Sequence, residues 1–404
     1  MLIRSCVAKG MQIYLDYGAT TPCRPEAIAT MQRVWSNHWG NPSSLHEWGQ
    51  RSATILEQAR QQVAGLIGAT PEAVVFTSGG TEANNMALMG VTGQCQTPQH
   101  LIISSVEHSA IAQPAHHLEQ LGWAVTRLPV TRQGRVDPQS LQAALQPNTV
   151  LVSIIYGQSE VGTLQPISQL GQITRDHGAL FHTDAVQVAG RLPIDLRRLP
   201  VDLLSLSSHK LYGPQGVGAL YVRREVTLTP FMAGGGQERG LRSGTPAVPP
   251  IAGFGTAAEL AATEMAQETP RLQALRERLF EQLANCPGLV PTGDRIHRLP
   301  HHVSFYLQPR GEVALSGKAI VRQMNLAGIA ISSGSACHSG KLSPSPILQA
   351  MGYSDTIGRS SIRLTLGRAT TAADVDWTAM VLRQILERTD SQLQSQRAMV
   401  GVSR

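Results

Sequence analysis

Short apolar segments alternate with longer amphipathic segments through most of the chain, and this alternation restricts the fold more than any other feature. Apolar runs typical of strands occur at residues 73–76, 100–108, 149–156, 179–187, 201–206 and 217–222. Helix-forming segments separate most of these runs, without long breaks. A repeated strand-helix-strand order predicts a largely parallel sheet with helices on both faces. We therefore expect an α/β fold.

The length of 404 residues favours two domains of unequal size. We expect residues 18–264 to form a large domain that carries the mostly parallel sheet. Residues 1–17 and 265–404 should form a smaller α+β domain. Thr269 and Pro270 have the residue types of a helix N-cap and first helical position, so we expect a helix from there to about Ala284, just after the domain boundary.

Composition and charge argue against several classes of protein. Apolar residues make up 42% of the chain and charged residues 15%, as in a folded globular protein. The net charge is +6, but the basic residues are scattered, which argues against direct binding of nucleic acid. No apolar stretch reaches the ~18 residues of a membrane helix, and residues 1–10, before the first strand-like run, lack the apolar core of a signal peptide.

The five cysteines include no C-x-x-C pair, which argues against a disulfide framework and against a zinc site. They are Cys6, Cys23, Cys95, Cys286 and Cys337. We therefore expect a reducing compartment, the cytoplasm, and no metal ion.

Lys210 and Asp184 are the strongest candidates for chemistry. Lys210 follows the apolar run at 201–206, and a Gly-Pro turn and another apolar run come after it. Asp184 is the only acid in the apolar segment 179–187, where a buried carboxylate needs a cationic partner. A lysine that forms an imine and an acid that holds a pyridinium nitrogen are what pyridoxal phosphate chemistry requires.

The segment from Thr77 to Asn85 joins a predicted strand to a predicted helix through a glycine-bearing turn. Free N–H groups at a helix start and the positive end of the helix dipole favour a phosphate. Gly79 and Gly80 allow close approach of the backbone, and Thr81 adds a hydroxyl. The glycine-rich loop from Met232 to Thr245 carries two arginines and is also expected to pass close to an anion.

Two residues of the C-terminal part suggest reactivity or substrate binding. Cys337 lies among serine, glycine and alanine, surroundings in which a structural and a reactive thiol are equally expected. Arg363 lies inside an apolar alternation, and a buried arginine there needs an anion such as a substrate carboxylate.

Together these segments resemble the cysteine desulfurases of the class V aminotransferase superfamily, in the group whose active cysteine lies in SSGSAC. The resemblance runs nearly end to end and rests on nine motifs in the same order: YLDYGATTP (14–22), GNPSSLH (40–46), FTSGGTEANN (76–85), EH (107–108), HTDAVQ (182–187), SSHKLYGPQGVGALYVR (207–223), GGGQERGLRSGT (234–245), SSGSAC (332–337) and SSIRLTLGR (360–368). It implies a fold-type I transferase dependent on pyridoxal phosphate.

The resemblance also implies roles for individual residues. Lys210 would hold the cofactor as an imine and move the substrate proton, Asp184 would keep the ring nitrogen protonated, and His108 would stack on the ring. The ring oxygen would contact Gln187 and Ser159. The phosphate would be bound by Gly80, Thr81, Ser207 and His209, with Thr245 from the second subunit of a homodimer.

For the substrate, the resemblance implies that Asn41 and Arg363 bind the carboxylate of L-cysteine. The Cys337 thiolate, on a loop at about 332–343, would take the sulfur as a persulfide and leave alanine. An acceptor protein, either an iron-sulfur scaffold or a thiolation protein, would then receive the sulfur.

Four positions depart from the family pattern. Gln158 and Ser159 stand where two asparagines are usual, so Gln187 is expected to carry the contact to the ring oxygen alone. Gly18 replaces a common serine or alanine, and His338 replaces the threonine that usually follows the cysteine, where a protonated imidazole would favour the Cys337 thiolate.

Two alternatives remain open from sequence. One is a transaminase or a lyase of the same superfamily that uses no protein thiol, for which Lys210 and Asp184 are equally expected. The other is a non-catalytic scaffold of this fold, which would bind no cofactor.

Overall fold

The computed structural model describes residues 12–309, 316–334 and 343–401. From the N-terminus, the elements are β1 (Ile13–Tyr14), α1 (Pro25–Asn37), α2 (Glu47–Ile67), β2 (Val74–Thr77), α3 (Gly80–Thr92), β3 (His100–Ser104), α4 (Ser109–Gln120), β4 (Ala124–Leu128), α5 (Pro138–Ala144), β5 (Thr149–Ser153), α6 (Ile167–His177), β6 (Leu180–Asp184), β7 (Leu203–Ser207) and β8 (Gly218–Val222).

The second part of the chain begins with a long helix. Its elements are α7 (Val248–Leu283), β9 (Leu289–Pro291), β10 (His302–Leu307), α8 (Gly317–Leu326), β11 (Ile329–Ala330), β12 (Ser332–Ser333), α9 (Pro346–Ala350), α10 (Asp355–Ser360), β13 (Ile362–Thr365) and α11 (Ala372–Gly401). In the part of the chain that the structure describes, no helix combines the length and apolarity needed to cross a membrane.

The central sheet has seven strands in the order β2-β8-β7-β6-β5-β3-β4. Strands β3 to β7 pair in parallel, and β8 is antiparallel to both of its neighbours. The exception has a simple cause, since β7 and β8 are joined by a short connection and a parallel pair needs a crossover of a dozen or more residues. The prediction of a mostly parallel α/β sheet is confirmed.

Both faces of this sheet are buried. Val74 and Phe76 pack with α2 and the start of α7, whereas Val75, between them, packs with α3 and α4. Adjacent side chains of a strand point to opposite faces, so this alternation shows helices on both sides. A sheet covered in this way leaves its strand ends as the accessible edge, where ligands of α/β proteins bind.

A second core surrounds an antiparallel sheet of the order β12-β13-β10-β9. It contains Ile13 and Leu15 from the N-terminal segment together with apolar residues between 272 and 386. This grouping supports a smaller α+β domain made from both ends of the chain. The boundary at 264/265 stays a prediction.

The predicted helix start at Thr269 and Pro270 is wrong. Helix α7 runs without interruption from Val248 to Leu283, with Pro270 inside it, and the Thr269 hydroxyl donates to the Arg191 carbonyl oxygen at 2.7 Å. The N-terminal half of α7 is buried in the first core and the C-terminal half in the second. Burial of both ends of the helix therefore overrides the local cost of the proline, about 3 kcal/mol in a helix interior.

Ser43 and Ser44 have the residue type of an N-cap and predict a helix start there, but neither of them caps helix α2. Helix α2 begins at Glu47, and His46 is its N-cap, with its Nδ1 accepting from the Gly49 N–H at 3.2 Å. The Ser43 N–H donates instead to the side chain of Asn41, which forms a turn.

Candidate active site

A cavity of about 430 Å³ opens at the carboxyl ends of β5, β6 and β7. Its walls include most of the residues that the sequence marked for chemistry. The lining consists of Gly18, Ala19, Gly80, Thr81, Asn84, His108, Ile155, Ser159, Asp184, Val186, Gln187, Ser207, His209, Lys210 and Arg363. Residues from positions 18 to 363 thus meet at one edge of the sheet.

Asp184 is the last residue of β6 and is buried. Its carboxylate accepts a hydrogen bond from the Asn84 amide at 2.7 Å and another from the Val186 N–H at 3.0 Å. Both donors are neutral, so the negative charge of Asp184 has no cation bonded to it in the described chain. The carboxylate is fixed in position and free to attract a positive group in the cavity.

The sequence analysis did not identify Asn84 as a site residue. It lies four residues after Gly80 on α3, a spacing that puts both on the same helix face, and that spacing was the available signal. Its Oδ1 is buried and has no partner among the residues that the structure describes.

Lys210 ends a short 3-10 turn, Ser208–Lys210, directly after β7. Its Nζ donates to the carbonyl oxygens of Gly18 at 2.8 Å and Ala19 at 2.6 Å. Burial lowers the pKa of this amine to about 8, with further lowering by two arginines and opposite effects from two acids, namely Arg191, Arg363, Asp16 and Asp184. A larger fraction of the amine is neutral near pH 7 than for an ordinary lysine, as a nucleophilic amine requires.

The turn that carries Lys210 is held by Tyr212, which has a φ of 68°. This left-handed conformation is unusual for a tyrosine. The Tyr212 N–H donates to the Thr21 hydroxyl at 2.8 Å, and the Tyr212 carbonyl accepts from the Arg24 N–H at 2.9 Å. Contacts to the N-terminal segment thus stabilise the conformation that directs Lys210 into the cavity.

One end of the cavity has the features of an anion site. Helix α3 begins at Gly80, immediately after β2, and its first N–H groups lack intrahelical partners. A Cβ at Gly80 would lie 2.8 Å from the Val186 Cγ2, so any other residue there would have to displace the Val186 side chain. Thr81 and Ser207 add hydroxyl groups beside this helix start.

His209 lies next to the same end of the cavity. Its Nδ1 is 3.0 Å from the Thr20 hydroxyl oxygen. Burial, together with the positive charges of Lys210 and Arg191, lowers the pKa of His209 to about 4. The ring is therefore neutral at pH 7 and can serve as a hydrogen-bonding group.

His108 is the N-cap of α4 rather than the end of a strand, because β3 ends at Ser104. Its Nδ1 accepts from the Ala110 N–H at 3.1 Å. In the neutral ring the proton therefore lies on Nε2, the nitrogen left available to a ligand.

Glu107, beside His108, is a buried acid that the sequence analysis did not single out. One carboxyl oxygen accepts from the Ser104 hydroxyl and from the Ile155 N–H, the latter at 2.8 Å. The other oxygen has no partner in the described ranges. Burial raises the pKa of Glu107 to about 8, and the charge of Asp184 adds to this effect.

Arg363, on β13, forms the opposite wall of the cavity. It donates to Asp16 at 2.8 Å and to the Ser159 carbonyl oxygen at 3.1 Å. Its Nε is buried without a partner among the described atoms. Asp16 was missed by the sequence analysis because it is 347 positions away and nothing local links the two residues.

Ser159 and Gln158 differ in their position relative to the cavity. Ser159 lines the cavity, and its carbonyl oxygen also contacts the His302 Nε2 at 3.0 Å. Gln158 is buried and accepts from the N–H groups of Glu160 and Val161, so it closes the turn after β5 and does not line the cavity.

Two predicted site residues lie outside the cavity, and a third is not described by the structure. Asn41 and Thr245 are exposed and are not part of the cavity lining. Cys337 lies outside the described residues, as does His338. Where the structure describes the chain, no cluster of histidine, cysteine or acidic side chains has the composition of a metal site.

Comparisons with known proteins agree on one family. Residues 13–377 match the family model described as aminotransferase class-V. A curated relative, cysteine desulfurase IscS of Dictyoglomus turgidum, is 43% identical over 379 residues, which cover 93% of this chain and 95% of the relative.

Solved structures are also similar. A NifS-like protein superposes with a TM-score of 0.87 at 33% identity, covering 93% of this chain and all of that one. A structure described as SspA in complex with cysteine has a TM-score of 0.76 at 35% identity. The match covers 88% of this chain and 99% of the SspA chain.

Proposed function

The chain belongs to the aminotransferase class-V family, and we propose that it acts as a cysteine desulfurase dependent on pyridoxal phosphate, which converts L-cysteine to L-alanine and transfers the sulfur to an enzyme thiol. One observation carries this proposal. The amine of Lys210, the carboxylate of Asp184 and the guanidinium of Arg363 line the same cavity at the carboxyl edge of the parallel sheet.

The residues present fit pyridoxal phosphate. Asp184 is a buried carboxylate without a bonded cation, which suits a protonated ring nitrogen, and Lys210 supplies a partly neutral amine. Gly80, Thr81, Ser207 and His209 would hold the phosphate at the start of α3. When bound, the cofactor supplies an electron sink for negative charge at the substrate α-carbon.

The protein side chains would orient and protonate the reacting groups. Lys210 would move the proton at the substrate α-carbon, since its amine is poised near neutral pH. His108 would contact the ring face and offer the proton on Nε2. Gln187 and Ser159 would lie at the ring oxygen, with Gln187 as the donor.

Arg363 would bind the substrate carboxylate. Its unpaired Nε gives it a donor to offer while it keeps its bonds to Asp16 and Ser159. A second carboxylate can also replace Asp16 in the bidentate arrangement that guanidinium groups favour. We propose that Asn41 assists after a movement or from a second subunit, since it lies away from the cavity of its own chain.

Sulfur transfer requires a nucleophile, which we assign to Cys337 by its SSGSAC motif. The Cys337 thiolate attacks the substrate sulfur, an S–S bond forms as the C–S bond breaks, and the electron pair of that bond stays with the three-carbon fragment. Protonation of this fragment gives alanine, and the enzyme keeps a persulfide. An acceptor protein, such as an iron-sulfur scaffold or a thiolation protein, would receive this sulfur in the cytoplasm.

We further propose a homodimer in which Thr245 reaches the phosphate site of the other subunit. The exposed position of Thr245, apart from its own cavity, supports this arrangement. The Thr245→Val substitution should then weaken cofactor binding, and sedimentation should give twice the mass of 43.4 kDa. A monomer that binds the cofactor tightly would contradict this.

The direct test of function is incubation with L-cysteine without reductant, followed by alanine quantification and mass spectrometry of the Cys337 peptide. We expect alanine and added sulfur on Cys337 in the unmodified protein. Cys337→Ala should retain the coloured cofactor and lose alanine formation. Full activity of that variant would instead favour a lyase that uses no protein thiol.

A further inference from the structure

Arg191 is a buried cation that has no acidic partner among the residues that the structure describes. It follows β6 by seven residues and is 5% exposed. Its guanidinium donates to the Gln187 carbonyl oxygen at 3.2 Å, to the Gln187 Oε1 at 3.1 Å and to the Tyr17 carbonyl oxygen at 3.2 Å. Within the described ranges it forms no ion pair with a carboxylate.

Burial of an unpaired charge is costly, and burial lowers the pKa of Arg191 to about 10. Arg298, which is buried away from this cavity, likewise bonds only carbonyl and hydroxyl oxygens among the described residues, whereas other buried arginines are paired with acids. Arg24 and Arg60 are buried to a similar degree and each bonds carboxylates. A charge kept buried at a cost beside a cavity suggests a role in that cavity.

The first effect of Arg191 is on the amide of Gln187. A guanidinium can only donate, so the Gln187 oxygen must face it. On the other side, the Gln187 Nε2 donates to the Gly18 carbonyl oxygen at 2.9 Å, and a carbonyl can only accept. Both neighbours thus select one orientation of the amide, in which the second N–H of Nε2 is left for a group in the cavity.

This orientation matters because Gln187 is the side chain expected at the cofactor's ring oxygen, and Ser159 stands where an asparagine donor would share the contact. If the amide were reversed, its oxygen would face an electron-rich ring oxygen and repel it. The correct orientation therefore depends on a residue that does not line the cavity.

The second effect of Arg191 is electrostatic. Its charge contributes to the lowered pKa of Lys210 and of His209. The charged groups that act on Lys210 are Arg191, Arg363, Asp16 and Asp184. Arg363 is neutralised by Asp16, whereas Arg191 has no such partner in the described chain, so Arg191 provides the uncompensated positive charge on this side of the cavity.

We propose that Arg191 is a positioning residue for the cofactor, which fixes the donor end of the Gln187 amide toward the ring oxygen and keeps positive charge beside Lys210. This inference rests on the proposed binding of pyridoxal phosphate. Arg191 would act through its neighbours, and no local sequence motif identifies it.

The test is a pH titration of the visible absorbance of the full-length holoenzyme, without substrate. Loss of the nearby charge and loss of the oriented donor both favour the protonated form of the imine at Lys210. Arg191→Met should therefore raise the midpoint of the absorbance titration by about half a pH unit to one pH unit. Arg191→Lys keeps a donor-only cation and should restore the midpoint to near its original value.

A matched control is Arg298→Met. Arg298 is also buried, at 2% exposure, but it does not line the cavity and is not among the principal charges that shift the pKa of Lys210. We expect it to lower thermal stability without moving the absorbance midpoint. If Arg191→Met does not fold, Arg191→Gln removes the charge while keeping a donor for the Tyr17 carbonyl and serves in its place.

A Gln187→Met background separates the two effects. There, Arg191→Met should produce a smaller shift than in the original protein, because only the charge effect remains. An equal shift in both backgrounds would overturn the amide-orientation part, and an unchanged midpoint in a folded, uncharged variant at position 191 would overturn the whole inference.

Failure here is distinct from failure of the proposed function. Alanine formation from L-cysteine tests the function, whereas the absorbance midpoint is measured without substrate. Should the protein bind no cofactor, the pH dependence of acetylation at Lys210 in the full-length chain gives the same comparison. Its midpoint should rise in Arg191→Met and not in Arg298→Met, and an equal midpoint in all forms would contradict the charge effect.

Discussion

The two walls of the cavity hold their charges in opposite ways. On the sheet wall, Asp184 is bonded to the Asn84 amide and a backbone N–H, both neutral. On the wall formed by β13 and the N-terminal segment, Arg363 is already paired with the carboxylate of Asp16. The sheet wall therefore presents an uncompensated charge, while the opposite wall is balanced before any ligand arrives.

This difference matches what each wall is expected to bind. A cofactor that stays bound through each turnover can rely on a permanent site, in which the carboxylate is fixed and ready for a cationic ring nitrogen. A substrate must enter and leave, and an arginine with an internal partner can bind a carboxylate without being stranded as a buried charge in between. The comparison predicts larger effects for changes on the sheet wall.

The largest effect should follow from Asp184→Asn. Loss of the carboxylate removes the stabilisation of positive charge at the ring nitrogen, and we expect the rate of alanine formation to fall by roughly 10²–10⁴-fold, the range for an essential proton-handling group. Steady-state assays with saturating pyridoxal phosphate would measure it. A fall in this rate of less than about tenfold would contradict the role assigned to the sheet wall.

Asn84→Ala tests how that carboxylate is held. Removal of the 2.7 Å hydrogen bond should let Asp184 move and should lower the rate by about tenfold, in line with the ~1.5 kcal/mol of a hydrogen bond to a charged group. Asn84→Asp would place a second acid beside Asp184 and should lower the rate further. A rate equal to that of the original protein in Asn84→Ala would show that the Val186 N–H suffices.

Arg363→Lys should act mainly on substrate binding. Lysine cannot form the bidentate contact, so KM for L-cysteine should rise roughly ten- to a hundredfold, with a smaller change in kcat. Initial rates over a range of L-cysteine concentrations separate the two constants. An unchanged KM would remove Arg363 from the substrate wall.

Asp16→Asn should have a smaller effect of the opposite sign. Arg363 loses its competing carboxylate but keeps its bond to the Ser159 carbonyl oxygen, and we expect KM for L-cysteine to fall by a few-fold, because only the competition between Asp16 and the substrate is removed. Asp16 also raises the pKa of Lys210, so the Lys210 amine should titrate at lower pH in this variant. A rise in KM would show that Asp16 orients Arg363 and does not compete with the substrate.

A separate effect concerns stability and not the rate of the reaction. The pKa of Glu107 is about 8 in the folded protein and 4.5 in its ordinary state, so between these values the unfolded chain releases a proton that the folded chain retains. The free energy of unfolding should fall as pH rises through this window, by at most about 1.4 kcal/mol per unit. Glu107→Gln should remove this slope while leaving stability near pH 4 unchanged, as denaturant titrations at several pH values would reveal.

The sequence was sufficient for the residues that follow strands or glycine turns. Lys210, Asp184 and Gly80 lie where apolar runs end, and parallel strands bring such ends to one edge of a sheet. The resemblance to a known family supplied further positions, of which His108, Gln187, Ser159, Ser207 and His209 line the cavity.

Other features could not be read locally. Asp16 pairs with Arg363 across 347 positions, and Asn84 bonds Asp184 across 100, so only the folded chain links them. The helix start expected at Thr269 failed for a related reason, because burial of α7 in two cores outweighed a local capping pattern. Arg191 is in sequence an ordinary basic residue, and only the folded chain shows that no described carboxylate pairs with it.

The central claim is that Lys210 holds the cofactor against Asp184. Borohydride reduction of the holoenzyme followed by peptide mapping tests it directly, because the chain has only four lysines, at positions 9, 210, 318 and 341. We expect the pyridoxyl group on Lys210 alone. A pyridoxyl group on any of the other three lysines, or on none, would contradict the account.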